Sequence, residues 1–401
     1  MEIKEVSDWL KLPVQLQHQF FQHASEEAER CKKRLLERMK RINELKRYIR
    51  TEPIPDSDDW KDLRVAVIDG SNSPSTSERL GSRFGTYCAG YMIFEGRDFV
   101  EEGYRAGRFT YDQIGSQDVT QKILHMFRCK LEREVALHCL EEKNVDYILI
   151  DGSFYGFRIE ACLINNEPLN AYGYSIGMDL TEDVRDLTWD LLKSRKVVGI
   201  IKRTRTNALD GWLVYLHGNE DHCIDANDKY IMSLILPIQH WFSYKWLFGS
   251  AISFNFYSRF RNLYRRIVLH EKKNVTMDEI YEASRGNLSQ EIKESLGMNV
   301  DEFLQTARYY IRCCNASPFE FETHKDMDVR LILSYFKNFH NPATGLPWPL
   351  DLIDENITLP RGFNKEFVEE IEARLIRDPE VSNKLALQEY FSYLNPQKAE
   401  D

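Results

Sequence analysis

No run of about 18 apolar residues occurs in the 401-residue chain, so no membrane-spanning helix is expected. The opening MEIKEVSDWLKLP has no apolar signal core, and a cytoplasmic setting is the expectation. The eight cysteines include no Cys-x-x-Cys pair, and only Cys313 and Cys314 are adjacent. That spacing excludes a zinc finger and a disulfide framework and suits reduced thiols. The glycine-rich phosphate loops of nucleotide-binding proteins are missing, as is the G-x-S-x-G of a serine nucleophile elbow. Low-complexity tracts and solenoid repeats are absent. Positive charge is in short supply, with 53 Lys and Arg against 63 Asp and Glu and a net charge of -10. Proteins that coat duplex DNA non-specifically are usually basic. The deficit therefore argues against broad coating, while leaving room for a basic channel inside an acidic exterior.

What is present is a chain able to bury a core, with 43% hydrophobic and 12% aromatic residues. Its length fits one large domain or a core with additions. Residues 1–58 read as a helical arm and linker. Leu35, Met39, Ile42 and Leu45 recur at helical spacing among charged residues over 22–50, which suits either a helix packed on its own core or an arm for a partner. TEPIPDSDDW (51–60) is a linker by its prolines and acids. Short β-branched runs then predict buried strands at Arg64–Asp69, Asp146–Asp151 and Val197–Lys202, with two further strands over 87–94 and 98–110 and a helix over 117–143. Strand, strand, strand, helix, strand is the ribonuclease-H order, so the fold class is α/β, a ribonuclease-H-like mixed sheet with flanking helices. A mainly helical insertion is expected over about 225–315, strand and loop over 318–360, and a C-terminal helical extension over 361–401.

Two of the strands end in Asp-Gly-Ser, at Asp69 and Asp151. A carboxylate at the end of a buried strand is costly unless compensated. Two side by side raise each other's pKa unless a cation lies between them, and hard oxygen ligands suit Mn²⁺ or Mg²⁺. Taken singly, each motif also reads as an ordinary turn. The helix before Asp151 is expected to add a third carboxylate. Ile123, Phe127 and Leu131 mark a buried line, and Glu134 continues it, whereas Glu132 is assigned to the surface beside Arg128.

The runs VAVIDGS, ILIDGS, VVGIIKRTRTN, NDKYIMSLIL and GLPWPLDLID, in this order and with a glutamate-bearing helix between the first two, resemble the NurA nuclease family over roughly residues 60–360. The resemblance implies that the central segment 59–360 is a NurA-type nuclease domain and that Asp69, Glu134 and Asp151 are catalytic metal ligands. It implies Mn²⁺ or Mg²⁺, with two ions, and cleavage at DNA ends (5′-to-3′ exonuclease and single-strand endonuclease). It further implies a homodimer beside a HerA-like hexameric ATPase, in end resection, repair or defence. Family members often carry a histidine after the Pro-Leu segment. Here Asp354 occupies that place, so Asp354 is the expected fourth metal ligand, with His340 as the outside candidate.

For DNA, Lys202, Arg203 and Arg205 follow the VVGII strand at the edge of the expected site and can hold phosphates. Arg259 and Arg261 lie in FYSRFRNLYRR, whose interleaved aromatics suit a single strand or a frayed end. A helix that buries its aromatics gives the same pattern. Two other functions compete: a catalytically degenerate subunit that binds DNA and the ATPase, and an actin-like phosphotransferase.

Overall fold

The computed structural model describes residues 8–111, 117–271, 275–381 and 383–395. The chain opens on helix α1 (Val14–Leu45) and a two-residue strand β1 (Glu52–Pro53). Strand β2 (Arg64–Asn72) is followed by the short β3 (Ser77–Glu78), the long hairpin of β4 (Arg83–Glu95) and β5 (Asp98–Tyr111), and helix α2 (Gln117–Glu142). β6 (Tyr147–Asp151) leads through α3 (Arg158–Ile164) and α4 (Gly177–Lys193) to β7 (Val197–Ile201). Helices α5 (Ala208–His217) and α6 (Asp228–Ile235) precede β8 (His240–Ser243). After α7 (Tyr244–Phe248), α8 (Phe254–Tyr264), α9 (Met277–Leu296) and α10 (Val300–Phe303) come β9 (Thr306–Arg312) and β10 (Phe319–His324). Helices α11 (Arg330–Asn338), α12 (Trp348–Ile357), α13 (Phe363–Arg377) and α14 (Lys384–Phe391) close the fold.

Among the described residues all ten strands join one sheet, in the order β1-β8-β9-β10-β7-β6-β2-β4-β3, with β5 paired to β4. β2, β4 and β5 are antiparallel, whereas β6 and β7 run parallel to β2. This is the ribonuclease-H-like core expected from the element order. β8, β9 and β10 extend it by antiparallel pairing.

The parallel centre is apolar on both faces because helices cover both. Ala66, Ile68, Ile148 and Ile150 pack into a cluster with α2, α4 and α9. Their neighbours Val65, Val67 and Leu149 point the other way, into a cluster with Tyr335, Phe336, Leu350 and Ile353 of α11 and α12. Alternation along a strand makes the two faces separable, and that separation positions the site below.

Several boundaries differ from the sequence reading. β2 does not turn at Gly70 but continues as strand to Asn72. The stretch 318–360, read as strand and loop, holds one strand and the two helices α11 and α12. Their apolar residues pack under the sheet, and tertiary burial outweighs the turn signals of Asn341 to Pro349. The long helix begins at Val14 and ends at Leu45. Its end is anchored by buried Ile42 and Leu45, whereas Leu35 and Leu36 are exposed. α13 and α14 pack Val368, Leu387 and Phe391 against Phe84. Among the described residues no helix is long and apolar enough to cross a membrane.

Candidate metal centre

Register brings the two strand-borne acids together. β2 and β6 pair Ile68 with Ile150, so Asp69 and Asp151 are the next residues on adjacent parallel strands, about 5 Å apart. Both share the parity of Val67 and Leu149 and so lie on the α12 face of the sheet. Lys202, one step past β7, shares the parity of Val198 and Ile200 on that same face. Its Nζ lies 3.2 Å from Asp151 Oδ2 and 3.1 Å from Asp354 Oδ2.

Asp354 is delivered by α12, which packs along β2. The end of that helix is tied down by its neighbours. The Leu359 N–H donates to Ser71 Oγ at 3.1 Å, and the Cys88 thiol donates to the Ile357 carbonyl at 3.5 Å. Ser71 thus fastens the segment that presents Asp354.

The third acid corrects the sequence reading. Glu134 is half-buried and faces Lys130 at 3.7 Å on the opposite side of α2 from the strand ends. Glu132 is the buried one, at 3% exposure. It lies between Arg128 (3.4 Å) and Arg133 (3.3 Å), two charges that offset its burial. Gly70 shows how it reaches the site. A Cβ on Gly70 would point toward α2 and meet Glu132 Oε1 at 2.5 Å and Cγ at 2.7 Å. The bare backbone there is the gap through which the Glu132 carboxylate approaches Asp69. Gly152 is different: at φ +95° it makes a true turn after β6.

The helical phase was misjudged because α2 has no single buried stripe. It is covered by the sheet on one side and by α3 and α4 on another. The line of Ile123, Phe127 and Leu131 leads to Tyr172 and Tyr174, not to the strand ends. A usable signal exists in the sequence. Cys129, Glu132, Ala136 and Cys139 recur at spacings of three and four, and the small residues among them are all buried, as close helix-to-sheet packing requires.

The electrostatics match the geometry. Burial, then the charges of Asp151 and Glu132, push the Asp69 carboxyl up to about 8, against the opposing pull of Lys202 and the Gly70 N–H. That N–H donates to Asp69 Oδ1 at 2.7 Å. Burial also raises Asp151, and Lys202 draws it back. Asp69 feels the charges of Asp151 and Glu132, and Asp354 is linked to Asp151 through Lys202. Hard oxygen donors that repel one another in this way suit a divalent cation of the Mg²⁺ or Mn²⁺ kind. Exposure rises from Asp69 and Glu132 inside to Asp354 at 52%, so the cluster is open on one side. His340 stands apart, paired with the Lys337 carbonyl at 2.9 Å and bridged to Pro347, at the other end of α12 from Asp354.

Past the ends of β6 and β7 lies a cavity of about 450 Å³, lined among others by Lys122, Arg158, Arg203, Arg205 and Arg308, with Glu160 and Glu322; none of the four acids lines it. Arg158, missed in the sequence, is pushed down to about 10 by burial and by the like charges of Arg259 and Arg308. Arg203 and Arg205 are exposed there. The two arginines of α8 are placed differently. Arg261 is 3% exposed and holds Asp210 at 2.9 Å and also Asp225. Arg259 pairs with Glu291 at 2.8 Å. Phe256, Tyr257, Phe260 and Tyr264 of that helix are buried, so its aromatic rows are core rather than a stacking platform.

Substituting Gly70 with alanine is expected to displace Glu132, since the methyl would also come within 3.0 Å of the Cys88 carbonyl oxygen. Metal-dependent activity should fall about 100-fold, and stability by about 1–3 kcal/mol in urea unfolding. Wild-type turnover in Gly70→Ala would show that the close approach has no functional role.

Residues 63–358 match the NurA domain. The NurA nuclease from Sulfolobus solfataricus superposes with a TM-score of 0.54 at 15% identity, over 92% of this chain and 99% of that one. A NurA bound to dAMP and manganese gives 0.44 at 12% identity, over 93% and 100% of the two chains. Endonuclease V from Bacillus subtilis gives 0.30 at 11% identity, over 82% and 91%. No curated protein matches the chain. The matched domain runs from the strand that carries Asp69 to the helix that carries Asp354, and the chain therefore belongs to the NurA family.

Proposed function

We propose that this protein is a metal-dependent nuclease that hydrolyses phosphodiester bonds at DNA ends, with Asp69, Glu132, Asp151 and Asp354 holding Mn²⁺ or Mg²⁺, two ions in the full site. The observation that carries this is the pair of strand-end acids Asp69 and Asp151, with the Glu132 charge on Asp69 and Asp354 linked to Asp151 through Lys202. Bound cations supply Lewis-acid stabilisation of the phosphoryl oxygens and an acidified water. The chain's own residues do the rest. The buried acids set the charge of the site, Lys202 neutralises part of it, and the exposed Arg203 and Arg205 line a path for the phosphates of a bound strand. No base-reading motif is visible in the sequence, so little sequence preference is expected.

The finer reading follows the family: 5′-to-3′ exonuclease and single-strand endonuclease activity, a homodimer, and a HerA-like hexameric ATPase as partner in end resection, repair or defence. The exposed apolar residues Val14, Leu16, Phe20, Phe21, Leu35 and Leu36 along α1 favour an arm that meets another chain. The domain reading, arm to residue 58, nuclease domain 59–360 and extension beyond, belongs to the same proposal.

The test is cleavage of linear DNA with Mn²⁺, with Asp69→Asn as the control. Activity in wild type that persists in the control would overturn the site assignment. The Lys202 ammonium between Asp151 and Asp354 favours one competing reading, a binding subunit without chemistry. DNA binding without cleavage under any divalent ion would select it.

Asp354 is expected to be a ligand whose replacement by alanine weakens Mn²⁺ binding about tenfold or more. Asp354→His should restore binding with a bias toward Mn²⁺ over Mg²⁺, because a neutral nitrogen replaces a charged oxygen. Calorimetric titration reads both. Unchanged Mn²⁺ affinity in Asp354→Ala would leave the site with three acids.

A further inference from the structure

A second group of ligating side chains meets far along the chain from the acids, where the arm lands on the core. Glu44 is the penultimate residue of α1, and His217 is the last residue of α5. His222 ends the short turn Glu220–His222. Glu44 Oε1 lies 3.1 Å from His217 Nε2, and Glu44 Oε2 lies 3.1 Å from His222 Nδ1. The two imidazoles stack at 3.9 Å with planes 12° apart. One ligand atom from each of the three residues falls within 4.8 Å of the others. All three side chains are half-buried, at 24–31% exposure, so the group is reachable from solvent.

Local sequence builds this arrangement. α5 stops at Gly218, which takes a left-handed conformation at φ +61° and donates its N–H to the Val214 carbonyl. Asn219 Oδ1 then accepts from the Asp221 N–H at 2.9 Å and tightens the reversal. The chain returns so that His222 lies over His217, five residues apart, a spacing common among zinc-binding histidines. The arm is held independently of these side chains. The Arg38 Nε donates to the Ile224 carbonyl at 3.0 Å, and Arg41 donates to the Cys223 carbonyl. Glu44 is thereby aimed at the two rings by backbone contacts on the residues that follow His222.

We propose that Glu44, His217 and His222 form a binding site for a zinc-class divalent cation that fastens the arm to the core. Three features support it. Two imidazole nitrogens and one carboxylate oxygen are a zinc donor set, unlike the all-oxygen acid cluster that suits Mg²⁺ or Mn²⁺. Among the described residues the Glu44 carboxylate has no lysine or arginine partner, and only the two imidazoles face it. The group also sits at the C-terminal end of α5, where the helix carbonyls favour a cation. The three side chains offer three of the four donors of a zinc shell, with water as the fourth, and the near-parallel rings reach it by rotating about their side-chain bonds. Nothing in this proposal depends on the nuclease reading.

The experiment is Zn²⁺ titration of the metal-stripped protein in excess Mg²⁺, which keeps the acid cluster supplied with its preferred ion. Bound zinc, melting temperature and protease sensitivity of α1 are measured together. The expected result is one equivalent of tight zinc in wild type, a Tm raised by several degrees and slower cleavage of the arm. His222→Gln and Glu44→Gln should each weaken zinc more than about 100-fold, and Asp69→Asn should leave it unchanged. Co²⁺ in place of Zn²⁺ should give the visible absorption of a four-coordinate nitrogen-oxygen site, lost in His222→Gln. If His222→Gln melts like wild type without zinc and no longer responds to it, the site stands. Absence of tight zinc in wild type, or wild-type zinc affinity in His222→Gln and Glu44→Gln, would overturn the proposal and leave a carboxylate hydrogen-bonded to His222 and facing His217.

Discussion

Replacing Asp69 with asparagine is expected to abolish DNA cleavage and, at the same time, to stabilise the metal-free fold. The first effect follows from removing a ligand charge at the centre of the cluster. A loss of about 4 kcal/mol of transition-state stabilisation corresponds to roughly 1000-fold in rate. The second follows from linkage. The Asp69 carboxyl is pushed up to about 8 in the fold by burial and by Asp151 and Glu132, whereas in the unfolded chain it ionises near 4. Between those values the folded protein holds a proton that the unfolded chain has released. Unfolding therefore becomes easier as pH rises from about 4 to about 8, by at most about 5 kcal/mol. Asparagine is neutral, has the same shape and keeps an oxygen for the Gly70 N–H. Asp69→Asn should flatten this slope, raise Tm at pH 8 and remove the further stabilisation that Mn²⁺ gives the wild type. Urea unfolding of metal-free protein across this pH range measures it. A variant less stable than wild type at pH 8 would show that Asp69 is not under electrostatic strain.

The second large effect separates two glutamates on one helix. Glu132→Gln is expected to lose activity about 100-fold or more, while Glu134→Gln should be close to silent. Glu132 is almost fully buried, lies over Gly70 and holds Arg128 and Arg133. Glutamine fills the same space but leaves two guanidiniums with half their compensation, so stability should also fall, by about 1–3 kcal/mol. Glu134 makes one half-exposed ion pair with Lys130, worth at most about 1 kcal/mol. Mn²⁺-dependent turnover of both variants, with circular dichroism as the folding control, decides the matter. Turnover lost in Glu134→Gln and kept in Glu132→Gln would restore the phase inferred from the apolar line alone.

What was legible in the sequence and what was not divide along physical lines. The buried strands of β2, β6 and β7 announce themselves because a strand covered on both faces must be apolar at every position, and such short runs ending in Asp-Gly-Ser are conspicuous. Element order then yields the topology, and pairing of neighbouring strands places Asp69 beside Asp151. Lys202, read from the sequence as a phosphate contact, pairs instead with Asp151 and Asp354, which only the fold brings to it. Asp354 came from family resemblance, and nothing in residues 348–357 by themselves signals a helix lying along β2. Burial by distant parts of the chain decided the rest. Glu132 rather than Glu134 reaches the acids because α2 is enclosed on more than one side, so periodicity marks several buried lines and cannot say which one meets the strand ends. Gly70, a turn by its local signal, is a gap in the wall beneath a glutamate contributed from sixty residues away. Arg261 has the same local sequence context as a phosphate-binding arginine, and only the tertiary placement of Asp210 and Asp225 commits it to the interior. Apolar patterning acts within a few residues and was readable from the chain. Which charged group faces which depends on contacts between segments remote in sequence, and those were set by the fold.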